Sequence, residues 1–210
     1  MKKLIMLLLI SAIHLSVSIP AVAQDDEYSL AVSWAADNGI ITADSYGQFE
    51  APDDAASRAQ AAAMLSRLND LDESENGIYY SDVLETDWFY KDVCSVSAAG
   101  LMTGDGNMFR PNDSITREEA VVLAGRAFEL EFSYSEKNYF TDSANISDWA
   151  EAYVYTAANL GIVNGNEYGA FMPFEPIKRR DLLLILYRFS CIDDVAVIVD
   201  DDGSVWTPLY

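Results

Sequence analysis

Six arginines stand in three pairs, Arg58 with Arg67, Arg117 with Arg126 and Arg179 with Arg188, each pair nine residues apart. In a chain with 34 acidic and 13 basic residues, arginine returning at fixed positions calls for a reason. A guanidinium is a planar fork of donors that meets a carboxylate with two parallel hydrogen bonds. The first member of each pair opens an apolar stretch, where a helix N-terminus directs unsatisfied N–H groups outward. A cation there opposes the helix dipole, yet beside free N–H groups it makes a site for an anion. A surface ion pair in an acidic protein is the other reading of Arg58, Arg117 and Arg179, and the residue types leave both open. The second member falls near the helix C-terminus, where a cation suits the negative end of the dipole. A structural role is therefore expected for Arg67, Arg126 and Arg188. Nine residues at about 100° each place the two arginines of a pair on opposite sides of their helix.

Other chemistries find little support. Met1-Lys2-Lys3, the apolar run Leu4 to Ile10 and Pro20-Ala21-Val22-Ala23 have the form of a secretory leader, with cleavage expected after Ala23. Residues 1–23 hold His14, the only histidine, and two of the 13 cations but no acid, so the expected mature charge falls from -21 to -23. Without histidine, serine triads and the usual zinc sites are poor expectations. No metal or cofactor is called for. So acidic a chain does not suit nucleic acid, and no later segment is apolar enough for a membrane span. Carboxylate pairs suited to glycoside hydrolysis arise by chance among 34 acids, so no catalytic residue is assigned. Cys94 and Cys191 could form a disulfide in an exported protein or serve as small buried residues.

The elements that must position the arginines repeat with them. Each unit runs through a helix, a Gly-apolar pair (Gly39-Ile40, Gly100-Leu101, Gly161-Ile162), a loop with an aromatic and a proline (Phe49 and Pro52, Phe109 and Pro111, Phe171 and Pro173), then the arginine-bounded helix. The first arginines lie 59 and then 62 positions apart, a period that denotes tandem supersecondary units. The glycines fall where left-handed C-caps are wanted. Ser57-Arg58-Ala59-Gln60 and Thr116-Arg117-Glu118-Glu119 read as capping boxes. Lys178-Arg179-Arg180-Asp181 lacks the hydroxyl, so a less sharp helix start is expected. The division is a leader at 1–23, repeats at 24–77, 78–137 and 138–190, and a tail at 191–210. Leu71 to Gly77 and Ser133 to Asn138 are expected to be surface connections. In the tail, apolar runs flank Asp200-Asp201-Asp202-Gly203 as in a β-hairpin. Asp200, Asp202 and Ser204 give only the opening spacing of a calcium loop, and no metal is assigned there.

Tyr80-Ser81-Asp82-Val83, Trp88, Gly100-Leu101, Phe109-Arg110-Pro111 and Thr116-Arg117-Glu118-Glu119 together resemble the S-layer homology (SLH) domain. The likeness repeats in unit three and, from Trp34 onward, in unit one. It implies a mainly α, pseudo-threefold unit with helix-loop-helix repeats around a central three-helix bundle and grooves between its prongs, here with a short hairpin-like tail. It also implies an exported, non-enzymatic protein held non-covalently at the cell wall by an acidic, pyruvylated secondary cell-wall polysaccharide. Carried over by motif, the glycan-binding residues are Arg58, Arg117, Arg179, Trp88 and Trp149. The alternative is a structural or adaptor protein whose repeats join other surface proteins, directly or through divalent cations, and bind no glycan.

Unit one departs from the pattern. Twelve residues before Gly100 and Gly161 stand Trp88 and Trp149, but twelve before Gly39 stands Glu27. Trp34 is therefore expected in the core, and Ala43 replaces the loop glycine of Gly104 and Gly165. Unit one also lacks its aromatic-x-Asp start. Ile192-Asp193-Asp194-Val195 offers a substitute, so the tail is expected to pack on unit one through Ile192, Val195 and Trp206 and close a ring.

Overall fold

The structure, a computed structural model, describes residues 24–42, 49–71, 79–132, 140–192, 198–199 and 205–206. Its helices are α1 (Gln24–Asp37), α2 (Arg58–Leu68), α3 (Tyr90–Ala98), α4 (Arg117–Ala127), α5 (Asp148–Asn159) and α6 (Arg179–Ser190). A 3-10 turn at Ser143–Asn145 precedes α5. The leader, the loop with Ala43, most of the two inter-unit connections and the Asp200–Ser204 turn lie outside the described residues. Strands β1 (Ile198–Val199) and β2 (Val205–Trp206) pair antiparallel.

Local chemistry sets the helix ends. Ser57 Oγ accepts from Gln60 N at 3.2 Å while Gln60 Oε1 accepts from Ser57 N at 3.0 Å. Thr116 and Glu119 make the same reciprocal pair at 3.3 and 2.8 Å. The first helices of the three units end alike. Gly39, Gly100 and Gly161 take φ of 70°, 70° and 72°, and the next N–H reaches back to Ala35, Val96 or Ala157, the bond of a Schellman cap. α6 has no side-chain cap on Lys178, yet it begins at the arginine like α2 and α4. Its start is sharp because the cap comes from elsewhere in the chain.

That cap is a loop from the next unit. Arg58 N and Ala59 N donate to Asp113 O and Pro111 O, both at 2.9 Å. Arg117 N and Glu118 N donate to Glu175 O and Pro173 O at 2.9 and 3.1 Å. Arg179 N and Arg180 N donate to Asp54 O and Pro52 O, both at 2.9 Å. The residues just before these helices close a cycle: Ala56 N donates to Ile177 O, Ile177 N to Ile115 O, and Ile115 N to Ala56 O, at 2.8 to 3.0 Å. Unit one thus caps unit three, and the pseudo-threefold arrangement is complete.

α2, α4 and α6 form the centre, with α4 touching both others. Each also packs on the first helix of the next unit: α2 on α3, α4 on α5, and α6 on α1. Small residues let these backbones approach. α2 buries Ala59, Ala61, Ala62 and Ala63, while Gly125 of α4 lies so near Tyr153 that a Cβ there would sit 2.5 Å from the ring. α6 fills the remaining space with Leu182, Leu183, Ile185, Leu186 and Phe189. Trp34 is half-buried against this core, 5.7 Å from Tyr187.

Ring closure is carried by α1 lying on α6. Both Glu27 oxygens accept from Arg188, from Nε and Nη2 at 2.7 Å each. Ile192 packs partly buried on the core; the proposed contacts of Val195 and the Trp206 side chain lie outside the described residues. Cys94 and Cys191 are half-buried free thiols rather than a disulfide. No described helix is long and apolar enough to cross a membrane.

Candidate binding clefts

The helix-start N–H groups are not available to an anion. Each goes to the neighbouring loop or the N-cap, so the anion site expected from them reduces to the guanidinium groups alone. The first arginines serve the fold as well. Arg58 is 8% exposed; its Nε donates to Phe109 O at 2.7 Å and Nη2 to Thr103 O at 2.8 Å. Its guanidinium carbon lies 5.0 Å over the Phe109 ring. Arg117 repeats this in the next unit, with Nη2 on Asn164 O at 3.0 Å and the guanidinium 5.1 Å over Phe171. Arg179 lies 4.6 Å over Phe49, and its buried Nε has no hydrogen-bond partner among the described residues. Each first arginine therefore clamps the loop of the following unit.

The loops are held from the other side by the aspartate of the aromatic-x-Asp motif. Asp82 accepts from Phe109 N and Arg110 N at 2.8 and 2.7 Å. Asp142 accepts from Phe171 N and Met172 N at 2.7 and 2.8 Å. Arg110 and Met172 are forced to φ of 58° and 61°, a left-handed conformation that side chains disfavour. The paired carboxylate bonds oppose that strain.

A cleft of about 150 Å³ brings three units together. Arg58 comes from unit one, Met102, Thr103, Glu119 and Arg126 from unit two, and Trp149 from unit three. Trp149 is 51% exposed. Its helix is fixed by the buried Glu118, which accepts from Ser147 N and Oγ at 3.0 and 2.8 Å. Arg58 keeps a looser contact with Glu119, at 3.8 Å. Two of the five N–H groups of Arg58 are used by backbone carbonyls. Burial weighs against its charge more than Glu119 supports it, so the cleft carries a cation the fold only partly compensates.

A second cleft, about 330 Å³, is lined by Trp88, Arg67, Asp70, Lys91 and Asp92 among others. Trp88 is 63% exposed and stands edge-on to Phe89. Arg117 lies elsewhere, near Asp181 and Arg188. Burial again opposes its charge first, Asp181 supports it and Arg188 adds repulsion.

The expected set of Arg58, Arg117, Arg179, Trp88 and Trp149 does not form one site. Arg58 and Trp149 share a cleft; Trp88 and Arg117 are in different ones; Arg179 lies over the unit-one loop as Arg58 lies over the unit-two loop. The second arginines were missed as lining groups. Each donates Nη1 to the carbonyl beside the capping glycine, Arg67 to Ile40 at 3.3 Å, Arg126 to Leu101 at 3.3 Å and Arg188 to Ile162 at 2.9 Å. That bond anchors them and leaves Arg67 and Arg126 facing the two tryptophans. Their nine-residue recurrence is the signal in the sequence, and a helix dipole accounts for such a recurrence without any cleft.

Comparison with known proteins agrees with these repeats. The family model described as the S-layer homology domain matches residues 79–121 and 139–183. The chain is similar to an exoglucanase, XynX, of Acetivibrio thermocellus, 40% identical over 144 residues that are 67% of this chain and 13% of the relative. It is similar to the surface-layer 125 kDa protein of Lysinibacillus sphaericus, 31% identical over 75% of this chain and 14% of that protein. A cellulosome-anchoring protein of Acetivibrio thermocellus is 27% identical over 65% of this chain and 32% of its own length. The chain thus spans a third or less of these relatives. Two matched segments, and a unit one that shares their glycine cap, arginine-to-carbonyl bond and loop-to-helix bonds, make this a tandem S-layer homology repeat protein.

Proposed function

We propose that the chain holds itself, or whatever it is joined to, at the bacterial cell wall by binding an acidic, pyruvylated secondary cell-wall polysaccharide in its inter-unit clefts. Surface anchoring follows from the family, and the relatives named for a surface layer and for cellulosome anchoring support it. The observation that carries the glycan reading is the Trp149 cleft. There two guanidinium groups, Arg58 and Arg126, stand beside an exposed indole. An arginine fork suits a carboxylate, and a flat ring gives an apolar face for sugar C–H groups. Glu119 limits the cleft to one net positive charge, which suits a single carboxylate per sugar. Arg67 stands with Trp88 in the second cleft, beside Lys91, Asp70 and Asp92. Nothing in this function requires bond-breaking chemistry, so the chain acts as a binding module and not as an enzyme.

The test is sedimentation with purified cell walls, with soluble polymer stripped of peptide as competitor. Arg126 is exposed and holds one backbone carbonyl, so Arg126→Ala should leave the fold intact and weaken polymer binding by about 1.5–3 kcal/mol, as for a hydrogen bond to a charged group. Trp149→Ala should lose about 0.5–1.5 kcal/mol. Binding unchanged in both variants, or not competed by free polymer, would favour the adaptor reading.

A further inference from the structure

The third junction, that of Arg188, differs from the Trp149 cleft where the indole would stand, and the residue there is charged. Arg188 makes the same backbone bond as Arg126, to the carbonyl beside a capping glycine. Across from Arg126 stands Trp149. Across from Arg188, at the position equivalent to Trp149, stands Glu27, both of whose oxygens are held at 2.7 Å. This is the bidentate geometry that an incoming carboxylate would adopt on the same guanidinium. The junction also holds Arg117 beside Asp181. Its two arginines therefore meet two carboxylates supplied by the chain, and Glu27 stands where the Trp149 cleft has its indole. The Trp149 cleft sets two arginines against one carboxylate, Glu119.

We propose that Glu27 is a resident carboxylate that occupies the third cleft in place of ligand, so that this chain leaves the Trp149 cleft open to an acidic ligand and uses the third to join its first helix to its last. The proposal rests on the reading of the clefts as carboxylate sites. Within that reading it selects which junctions are open. A carboxylate ligand entering the third cleft must displace Glu27, which loses two charged hydrogen bonds. At the Trp149 cleft, no described carboxylate pairs with Arg126.

The experiment is a titration of the 15N-labelled protein with sodium pyruvate, followed at the arginine side-chain Nε–Hε signals. In the unaltered protein the Arg126 signal should move saturably, while Arg188 responds at least about tenfold more weakly. In Glu27→Gln, which keeps size and one acceptor but not the charge, Arg188 should begin to respond and Arg126 should be unchanged. The proposal is overturned if Arg188 follows Arg126 in the unaltered protein, if neither signal moves, or if Arg188 stays silent in a folded Glu27→Gln protein. The first comparison needs no variant, so a loosened α1 cannot obscure it. Should Arg126 answer pyruvate in a protein that does not bind wall polymer, the glycan reading fails and the assignment of Glu27 stands.

Discussion

At the scale of single residues, the aspartate of the aromatic-x-Asp motif shows how a motif associated with binding can work through the backbone. Asp82 lines neither of the two clefts described. It fastens two N–H groups of the loop whose Phe109 carbonyl receives Arg58. Asp82→Ala should cost about 1.5–3 kcal/mol, the range for hydrogen bonds to a charged group, measured by urea denaturation. The Arg58 side-chain signal should broaden with it, because one wall of the arginine's socket is released. A variant as stable as the parent, with an unperturbed Arg58, would remove this role. The recurrence of Asp82 and Asp142 was visible in the sequence, but their partners lie 27 to 30 residues away and no local pattern names them. The same limit applies to the first arginines. Their helix starts were legible from the capping boxes. The loop that takes the free N–H groups comes from another unit, so the anion site inferred from those groups was misplaced onto the backbone.

At the scale of elements, the glycine caps and arginine-bounded helices followed from local chemistry, and the structure places them as read. The closing contact did not follow. Sequence reasoning looked for a missing start to unit one in the tail, whose contacts beyond Ile192 lie outside the described residues, and did not foresee that α1 packs on α6. Glu27 marked unit one as irregular without revealing that an arginine 161 residues away receives it. That pair gives α1 a pH signature. The Arg188 hydrogen bond, opposed by burial and aided by charge, holds the Glu27 carboxyl below its ordinary 4.5. A carboxyl depressed in the fold adds stability above its unfolded pKa and loses it as pH falls through the folded value. The melting temperature of the parent should therefore exceed that of Glu27→Gln at neutral pH, and the gap should close as pH drops below 4.5. Comparing the two proteins cancels the background from the other acids. A gap that stays constant with pH would show that Glu27 acts by packing alone.

At the scale of the whole molecule, the charge surplus governs approach to an anionic polymer. With residues 1–23 removed the protein carries -23, so repulsion acts at long range while the arginine contacts act at short range. The Debye length shrinks from about 30 Å at 0.01 M to about 10 Å at 0.1 M salt, which screens the first more than the second. Association with wall polymer should speed up, or hold, over that interval in a stopped-flow or biosensor measurement. A steep, continuous loss of binding with salt would point to attraction by a broad basic patch instead.

The three-membered hydrogen-bond cycle through Ala56, Ile177 and Ile115 fixes how many repeats the molecule can have. In an open solenoid a repeat can be gained or lost, because the ends are capped independently and stability grows unit by unit. Here the first unit is the cap of the last. A fourth copy inserted in line would have to part Arg179 and Arg180 from the carbonyls of Asp54 and Pro52, and a deleted copy would leave two units facing a gap neither can span. Evolution by duplication is therefore blocked at the level of the single unit, and such a protein can enlarge its number of clefts only by copying the trio entire.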